Sequence, residues 1–361
     1  MKLKKQRSFQ HLGRLATPYR HSSTVLTTCA LFLLFAPQLR SLGYSEATGA
    51  RYFGIHTLEI SSRTLSLHFE GDPEASHITV EGVDLTTRYR IESERDGGVL
   101  RIRVVGDDSP AASLDRARVE LKVPPHLRII AETTYGDISV RGVRSGPLQL
   151  VSGTGAVHVI DSAGDLMLRT NSGQLLMENV GGEAALTAGQ GEITVHGFEG
   201  ELTAHTTLGP QRYSQVRGGL SISTNSGDLT IENSEAQLRM TSTHGSIRAV
   251  GVVLNGPSEA RSLAGNMTVL LRNPSTDLLL DLHAGAIGRI LLNGSELGSG
   301  VQPFAEDTAD TEDTSNTAAL LTFNVHVGSG VLNLYTDGLE PETEGAVPNG
   351  VQDTSSNGAD G

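Results

Sequence analysis

The sequence predicts an all-β protein, a mostly parallel β-solenoid (β-helix) with coils of about 18 residues, on three observations. Glycines recur at Gly136, Gly155, Gly173, Gly191, Gly209, Gly227 and Gly245, one step of 19 and then five of 18. A second series, Gly146, Gly164, Gly182, Gly200 and Gly218, keeps the 18-residue period between them, with Ala236 in the next place. After nearly every such glycine come a polar residue and an apolar–any–apolar triplet, as in Ile193-Thr194-Val195 and Leu202-Thr203-Ala204. A fixed period near 20 marks a stacked repeat.

Each triplet describes a short strand with one buried face. Each glycine–polar pair, such as Gly136-Asp137 or Gly227-Asp228, suits a turn in which positive φ costs glycine little. One repeat therefore reads as strand, corner, strand, corner. Such a coil leaves its apolar face uncovered, so neighbours stack at about 4.8 Å. Ile138, Val157, Leu175, Ile193, Leu229 and Ile247 then form one interior ladder, and Leu148, Leu166, Leu202, Leu220 and Leu238 the facing one. The core so built is thin and aliphatic, in keeping with 4% aromatic residues and no Trp. About ten coils are expected, giving a stack of roughly 45–50 Å.

Taken from its start, the chain opens with residues 1–43, which carry seven basic side chains and no acid. The apolar run from Val25 to Leu39 and the small residues of Ser41-Leu42-Gly43 complete the pattern of an export signal. At about 15 residues the run is short for a bilayer span. The reading is cleavage after Gly43, with an uncleaved membrane anchor over residues 24–39 as the alternative. Either way the body is exported, to the periplasm or the cell surface. Cys29, the single cysteine, lies inside this segment, so a cleaved chain has no disulfide and no zinc–thiolate site. The remaining body holds 21 basic residues against 41 acidic ones, a net charge of −20. That balance argues against nucleic acid as a partner, because phosphates would be repelled. Membrane contact is expected only through the N-terminal segment, if it is retained.

Residues 44–130 read as an irregular β region or N-terminal cap. Thr64 to Phe69, His77 to Val80, Val99 to Val105 and Ala117 to Val123 alternate as half-buried strands, the last stopped by Pro124-Pro125. A solenoid needs such a cap over its open end.

At the join with the repeats, the run from Val119 to Val143, with its proline-ended strand followed by Gly136-Asp137-Ile138-Ser139-Val140, resembles the bacterial adhesin-type family of DUF4097 β-strand repeat proteins. The family's Gly-x-Leu…Thr…Ser-Gly-Asp pattern returns in Gly164-Asp165-Leu166…Thr170-Asn171-Ser172-Gly173 and in Gly219-Leu220…Thr224-Asn225-Ser226-Gly227-Asp228. The resemblance spans about residues 55–336. It implies the fold and an exported, ligand-contacting surface, and it carries over no catalytic residue.

The solenoid itself is assigned to residues 131–336. Beyond Gly251 the period loosens, with Gly265 and Gly285 continuing the anchor at steps of 20. Residues 302–318 read as an acidic, solvated loop, after which Leu320 to Val327 and Val331 to Tyr335 resume as closing strands. Residues 337–361, acidic and rich in Gly, Ser, Pro and Asn, read as a disordered tail.

Catalytic or metal chemistry on a solenoid needs like residues in one column. The histidines fail this: His158 lies three residues after its anchor glycine, His196 five after, and His244 immediately before. No Gly-x-Ser-x-Gly elbow appears with a strand–helix context, and no helix follows Gly189-Gln190-Gly191 to hold phosphate. A calcium roll would need Gly-Gly-x-Gly-x-Asp repeats, whereas Asp137 and Asp228 follow single glycines and their equivalents vary. No cofactor or metal is expected. Polysaccharide-cleaving solenoids carry two or three acids on an outer face. Here the outward rows are Ser139, His158, Thr194, Thr230 and Arg248 on one face, and Gln149, Met167, Thr203, Ser221 and Arg239 on the other, with no acid. Thr194, Thr230, Arg248, Thr203, Ser221 and Arg239 are therefore the candidate outer binding face for a glycan, a wall polymer or another protein. The expected function is that of an exported, non-catalytic binding module, with a structural spacer of the envelope or a polysaccharide-acting enzyme as the alternatives.

Overall fold

The computed structural model describes residues 45–46, 49–106, 117–144, 146–297, 302–304 and 320–339. The expected export signal with Cys29, most of the acidic loop and nearly all of the acidic tail lie outside the described residues.

The described chain is strand almost throughout, with a 3-10 turn at Ser275–Asp277 and no α-helix. Alternating burial accounts for the strands: in Ile193–Leu208, Ile193, Val195, Leu202 and Ala204 are buried while Thr194 and Thr203 between them reach solvent. Parallel pairing sets the coils in register, Ile138 on Val157, then Leu175, Ile193, Gln211, Leu229 and Ile247. The facing ladder runs Leu148, Leu166, Ala184, Leu202, Leu220, Leu238. Both expected interior ladders are present, and they belong to one continuous core.

Each central coil has a third side that a two-strand repeat did not anticipate. Leu175–Ala188, Ile193–Leu208 and Gln211–Ser226 run as strands through their corners. Between the long sides lies a short one on which Val180 pairs with Phe198 and Phe198 with Val216. The column Val143, Ser162, Val180, Phe198, Val216, Ser234, Val252 is buried along it. The residue before each of these opens the corner: Gly142, Asp161, Asn179, Gly197, Gln215, Asn233 and Gly251 all have φ between 47° and 71°. Gly, Asn and Asp tolerate that left-handed region best, so a column rich in them fits there.

The glycine columns have a second cause besides turn conformation. A Cβ on Gly191 would collide with the carbonyl of Gly173 on the preceding coil, although the φ of Gly191 is not left-handed. At Gly227 both conditions hold, with φ at 148° and the Gly209 carbonyl in the way. Three residues before these glycines runs a buried hydroxyl column, Thr133, Ser152, Thr170, Thr206, Thr224, Ser242 and Ser262, interrupted by Ala188. The Thr170 hydroxyl accepts from the Gly173 amide at 2.9 Å and donates to the Gly155 carbonyl at 3.3 Å, closing the turn and tying it to the coil below. The aspartates of Gly136-Asp137 and Gly227-Asp228 act between coils too. Asp137 Oδ1 accepts the Ala156 amide and Asp228 Oδ1 the Ser246 amide, each at 2.8 Å.

One coil breaks the aliphatic ladder with a satisfied polar network. Gln211 and Tyr213 are fully buried where neighbouring coils carry aliphatic residues. The Tyr213 hydroxyl donates to Gln211 Oε1 at 2.6 Å, and Gln211 Nε2 donates to the Thr206 hydroxyl and the Ser223 carbonyl. Burial alone pushes the Tyr213 phenol well above its ordinary pKa.

At both ends the spatial order departs from sequence order. Thr57–Ser62 lies between Val99–Val105 and Arg128–Thr133, and Ser66–Gly71 lies between Arg118–Val123 and Ile138–Arg141. The N-terminal region thus supplies two in-register coils, the later one outermost, with antiparallel strands Ala50–Phe53, His77–Val83 and Arg90–Asp96 beyond. The C-terminal end mirrors this. Leu321–Ser329 inserts between Ser258–Ala264 and Leu278–Ala284, and Val331–Tyr335 between Met267–Leu271 and Arg289–Leu292. The expectation that Gly285 follows Gly265 in the anchor column is therefore corrected: Gly330 stacks on Gly265, and Gly285 stacks on Gly328. Among the described residues each long ladder is twelve parallel strands deep, against the expected ten or so, or about 53 Å at 4.8 Å per step.

Candidate functional site

The six residues expected to form an outer binding face occupy two separate rows. Thr194, Thr230 and Arg248 project from the first long side, with Arg212 standing between the two threonines and ion-paired to Glu192. Thr203, Ser221 and Arg239 project from the other long side on three successive coils. The buried core lies between the two sides, so the structure does not bring the six together.

The second row lines a groove of about 330 Å³, together with Glu201, Gly219, Gln237 and Glu259. Its shape follows from a missing side chain. The outward column Asp165, Glu183, Glu201 is interrupted by Gly219 before Gln237 resumes it, and the Glu201 carboxylate lies over the Gly219 Cα. Gln237 Nε2 is engaged, donating to the Pro257 carbonyl at 2.8 Å. Glu259 is paired with Arg261 at 2.5 Å, which leaves Arg239 without a side-chain partner among the described residues. The groove thus offers a carboxylate, two hydroxyls and an uncommitted guanidinium, a set suited to a hydroxyl-bearing ligand with an anionic substituent. The absence of acids from the outward rows holds only for the coils first considered: Glu259 continues the Arg239 row, and Glu201 stands two residues before Thr203.

A larger groove, about 870 Å³, follows the left-handed corner from Asp161 to Gly251. The sequence reading missed it, because that reading had only two sides. The αL-tolerant residues recurring every 18 or 19 positions from Gly142 to Gly251 were the available signal.

Two histidines engage serines on the following coil. His196 Nδ1 contacts Ser214 Oγ at 2.8 Å, and His205 Nδ1 contacts Ser223 Oγ at 2.9 Å. Neither has a carboxylate on its second ring nitrogen among the described residues, so neither forms the acid–histidine–serine chain of acyl transfer. No three metal-ligating side chains gather among the described residues, and no helix there is long and apolar enough to cross a membrane.

No curated protein matches the sequence significantly. Among solved structures, the chain is similar to one described as a "putative cell adhesion protein" from Clostridium sporogenes ATCC 15579, at 15% identity and a TM-score of 0.19, covering 81% of this chain and 97% of that one. The family model for Toastrack DUF4097 matches residues 61–284, which takes in most of the in-register stack from Ser66–Gly71 to Leu278–Ala284. By its repeats, its stacked strands and this match, the chain belongs to the Toastrack DUF4097 family.

Proposed function

We propose that this protein is an exported, non-catalytic binding module that holds a hydroxyl-rich envelope or wall polymer on the face carrying Thr203, Ser221 and Arg239. The observation that carries this reading is the Gly219 notch, where Arg239, without a side-chain partner among the described residues, and the Glu201 carboxylate flank two outward hydroxyls. Arginine in such a setting recognises carboxylate or phosphate substituents in two-pronged fashion. The rigid parallel stack beneath fixes the spacing of the row, so little ordering free energy is lost on binding. The basic, then apolar, then small-residue pattern of residues 1–43 supports export.

The test is binding of the full-length protein to a panel of purified wall polymers and glycans. Binding that Arg239→Ala weakens by about tenfold or more supports the face. A protein that binds none of them serves as a spacer, and one that hydrolyses any of them is an enzyme. Recovery of the tagged chain in the cytoplasm alone would remove the export part of the reading.

A further inference from the structure

We propose that the corner groove is a second binding site, for one strand of an extended, uncharged, linear glycan lying along the solenoid axis. The groove spans the coil levels of Asp161, Asn179, Gly197, Gln215, Asn233 and Gly251. Five coil steps of about 4.8 Å make it about 24 Å long. Its lining residues stack one per coil, so an extended ligand with its own short repeat can set one unit at each level.

Two columns supply the chemistry. In the corner column, two of the side-chain amides are each followed on the next coil by a glycine that leaves room for them. The Asn179 amide extends over Gly197, and the Asn233 amide extends over Gly251, each oxygen 2.9 Å from where a Cβ would stand. Gln215 projects between the two pairs, exposed. Beside this column, Glu199, Arg217 and Glu235 pair in register on successive coils of the short side. All three are exposed, and among the described residues none has a side-chain partner despite the alternation of charge. Asn179 Nδ2 donates to Asp161 Oδ1 at 3.2 Å and Asn233 Oδ1 accepts from Arg272 at 3.0 Å, and the remaining amide, carboxylate and guanidinium atoms present donors and acceptors along the groove, which is what vicinal hydroxyls require.

Charge selects among linear ligands. The groove is lined by Arg144, Arg217 and Arg272 against Asp161, Glu199 and Glu235, so it is neutral within a body of net charge −20. A polyanion finds no net positive charge in this groove, while a polycation finds stronger attraction elsewhere on the surface. An extended peptide needs free backbone groups to pair with, and along the short side those groups already bond from coil to coil. An uncharged glycan has neither difficulty.

The site is separate from the Gly219 notch, and one experiment distinguishes the two. Full-length protein is titrated with β-1,4-linked oligomers of N-acetylglucosamine and of glucose, from dimer to hexamer, with polygalacturonate and chitosan oligomers as charged comparisons. Affinity for a neutral series should rise by about tenfold or more up to the pentamer, one unit per coil step, and then level off. It should change little between low and high salt, since no net charge is neutralised. Arg217→Ala should weaken binding by about tenfold and Gln215→Ala by less, while Arg239→Ala leaves it unchanged. Both substituted side chains are exposed, so the fold is retained, which unchanged thermal unfolding would confirm. No binding of any neutral oligomer, affinity independent of length, or binding untouched by Arg217→Ala and Gln215→Ala would each overturn the proposal. Loss through Arg239→Ala alone would overturn it while sparing the notch.

Discussion

Between residues 148 and 252 each coil rests on the chain about 18 residues before it, whereas at the two ends each coil rests on chain far away in sequence. Asp137 bonds the Ser66 hydroxyl 71 residues back, and Val331 bonds Asn266 65 residues back. The strands themselves are alike, with the same alternation and the same stacking of buried aliphatics. What differs is the order in which they are placed. In the middle, closing each coil involves one short loop of constant length, so placement follows the chain. At the ends a strand is threaded between two coils already adjacent in sequence space, which lengthens the loops and covers strand edges that would otherwise lie open. Regular stacking and interleaving are therefore two solutions to one problem: the first extends a parallel stack and the second terminates it.

This contrast can be broken from either side. The largest effect is expected from Ile193→Asp, which buries a charge with no partner in the middle of the ladder. It should cost more than about 4 kcal/mol and abolish a cooperative thermal transition, read by circular dichroism. A variant that melts like the parent would remove the shared core.

Next in size is deletion of residues 320–361. Leu278–Ala284 and Arg289–Leu292 have their parallel partners in Leu321–Ser329 and Val331–Tyr335. Hydrogen exchange should then show fast exchange across 278–292 while the amides of 193–250 stay protected. Persistent protection of 278–292 would argue that the closing coil does not insert where it is seen.

Glycine substitutions sharpen the comparison. Gly227→Ala meets both a φ of 148° and the Gly209 carbonyl, and should cost about 2–4 kcal/mol. Gly338→Ala, also at positive φ but with open space around it, should cost about 1 kcal/mol. Equal midpoints in urea for the two variants would show that close stacking is not what the glycine column serves.

A smaller effect concerns pH at the C-terminal end. The Ser275 amide donates to Asp337 at 2.9 Å, and this bond, opposed by slight burial, holds the Asp337 carboxyl below its ordinary value. A lowered folded pKa contributes stability that is full above the unfolded value and is lost as pH falls through the folded one. Protection of amides near Ser275 should accordingly fall on acidification below about pH 3.9, before protection in the middle does. Simultaneous loss would mean that the end is not separately tied.

The smallest effect is expected from Thr194→Asp, on an outward position beside Glu192 and Arg212. It should stay within about 0.5 kcal/mol of the parent in chemical denaturation. Set beside Ile193→Asp, one residue away, it tests the alternation that both regions share.

Legibility followed the same division. Ile138 to Ile247 and Leu148 to Leu238 could be placed from spacing alone, because identical side-chain roles recur at a constant interval. The third side could not, since its buried column mixes Val, Phe and Ser, and two serines satisfy themselves on nearby backbone. Ser162 donates to the Ile160 carbonyl and Ser234 to the Glu232 carbonyl, both at 2.9 Å, so neither looks apolar in sequence although both are buried. Of the candidate site, Thr203, Ser221 and Arg239 were found as one row. The notch beside them was hidden in the Gly218-Gly219 doublet, where the first glycine belongs to a corner column and the second opens the surface. Thr194, Thr230 and Arg248, placed by the same spacing, stand on the other long side with the core between.

The sequence by itself determined that this chain stacks: its glycines, its alternating aliphatics and its period leave no other way to bury the apolar faces of such short strands. Only the tertiary structure decided which coil lies next to which at the ends, and which outward residues share a groove. The reason is that periodicity records what each residue does within a coil, whereas neighbourhood across long loops and around a corner depends on how the coils are laid down together.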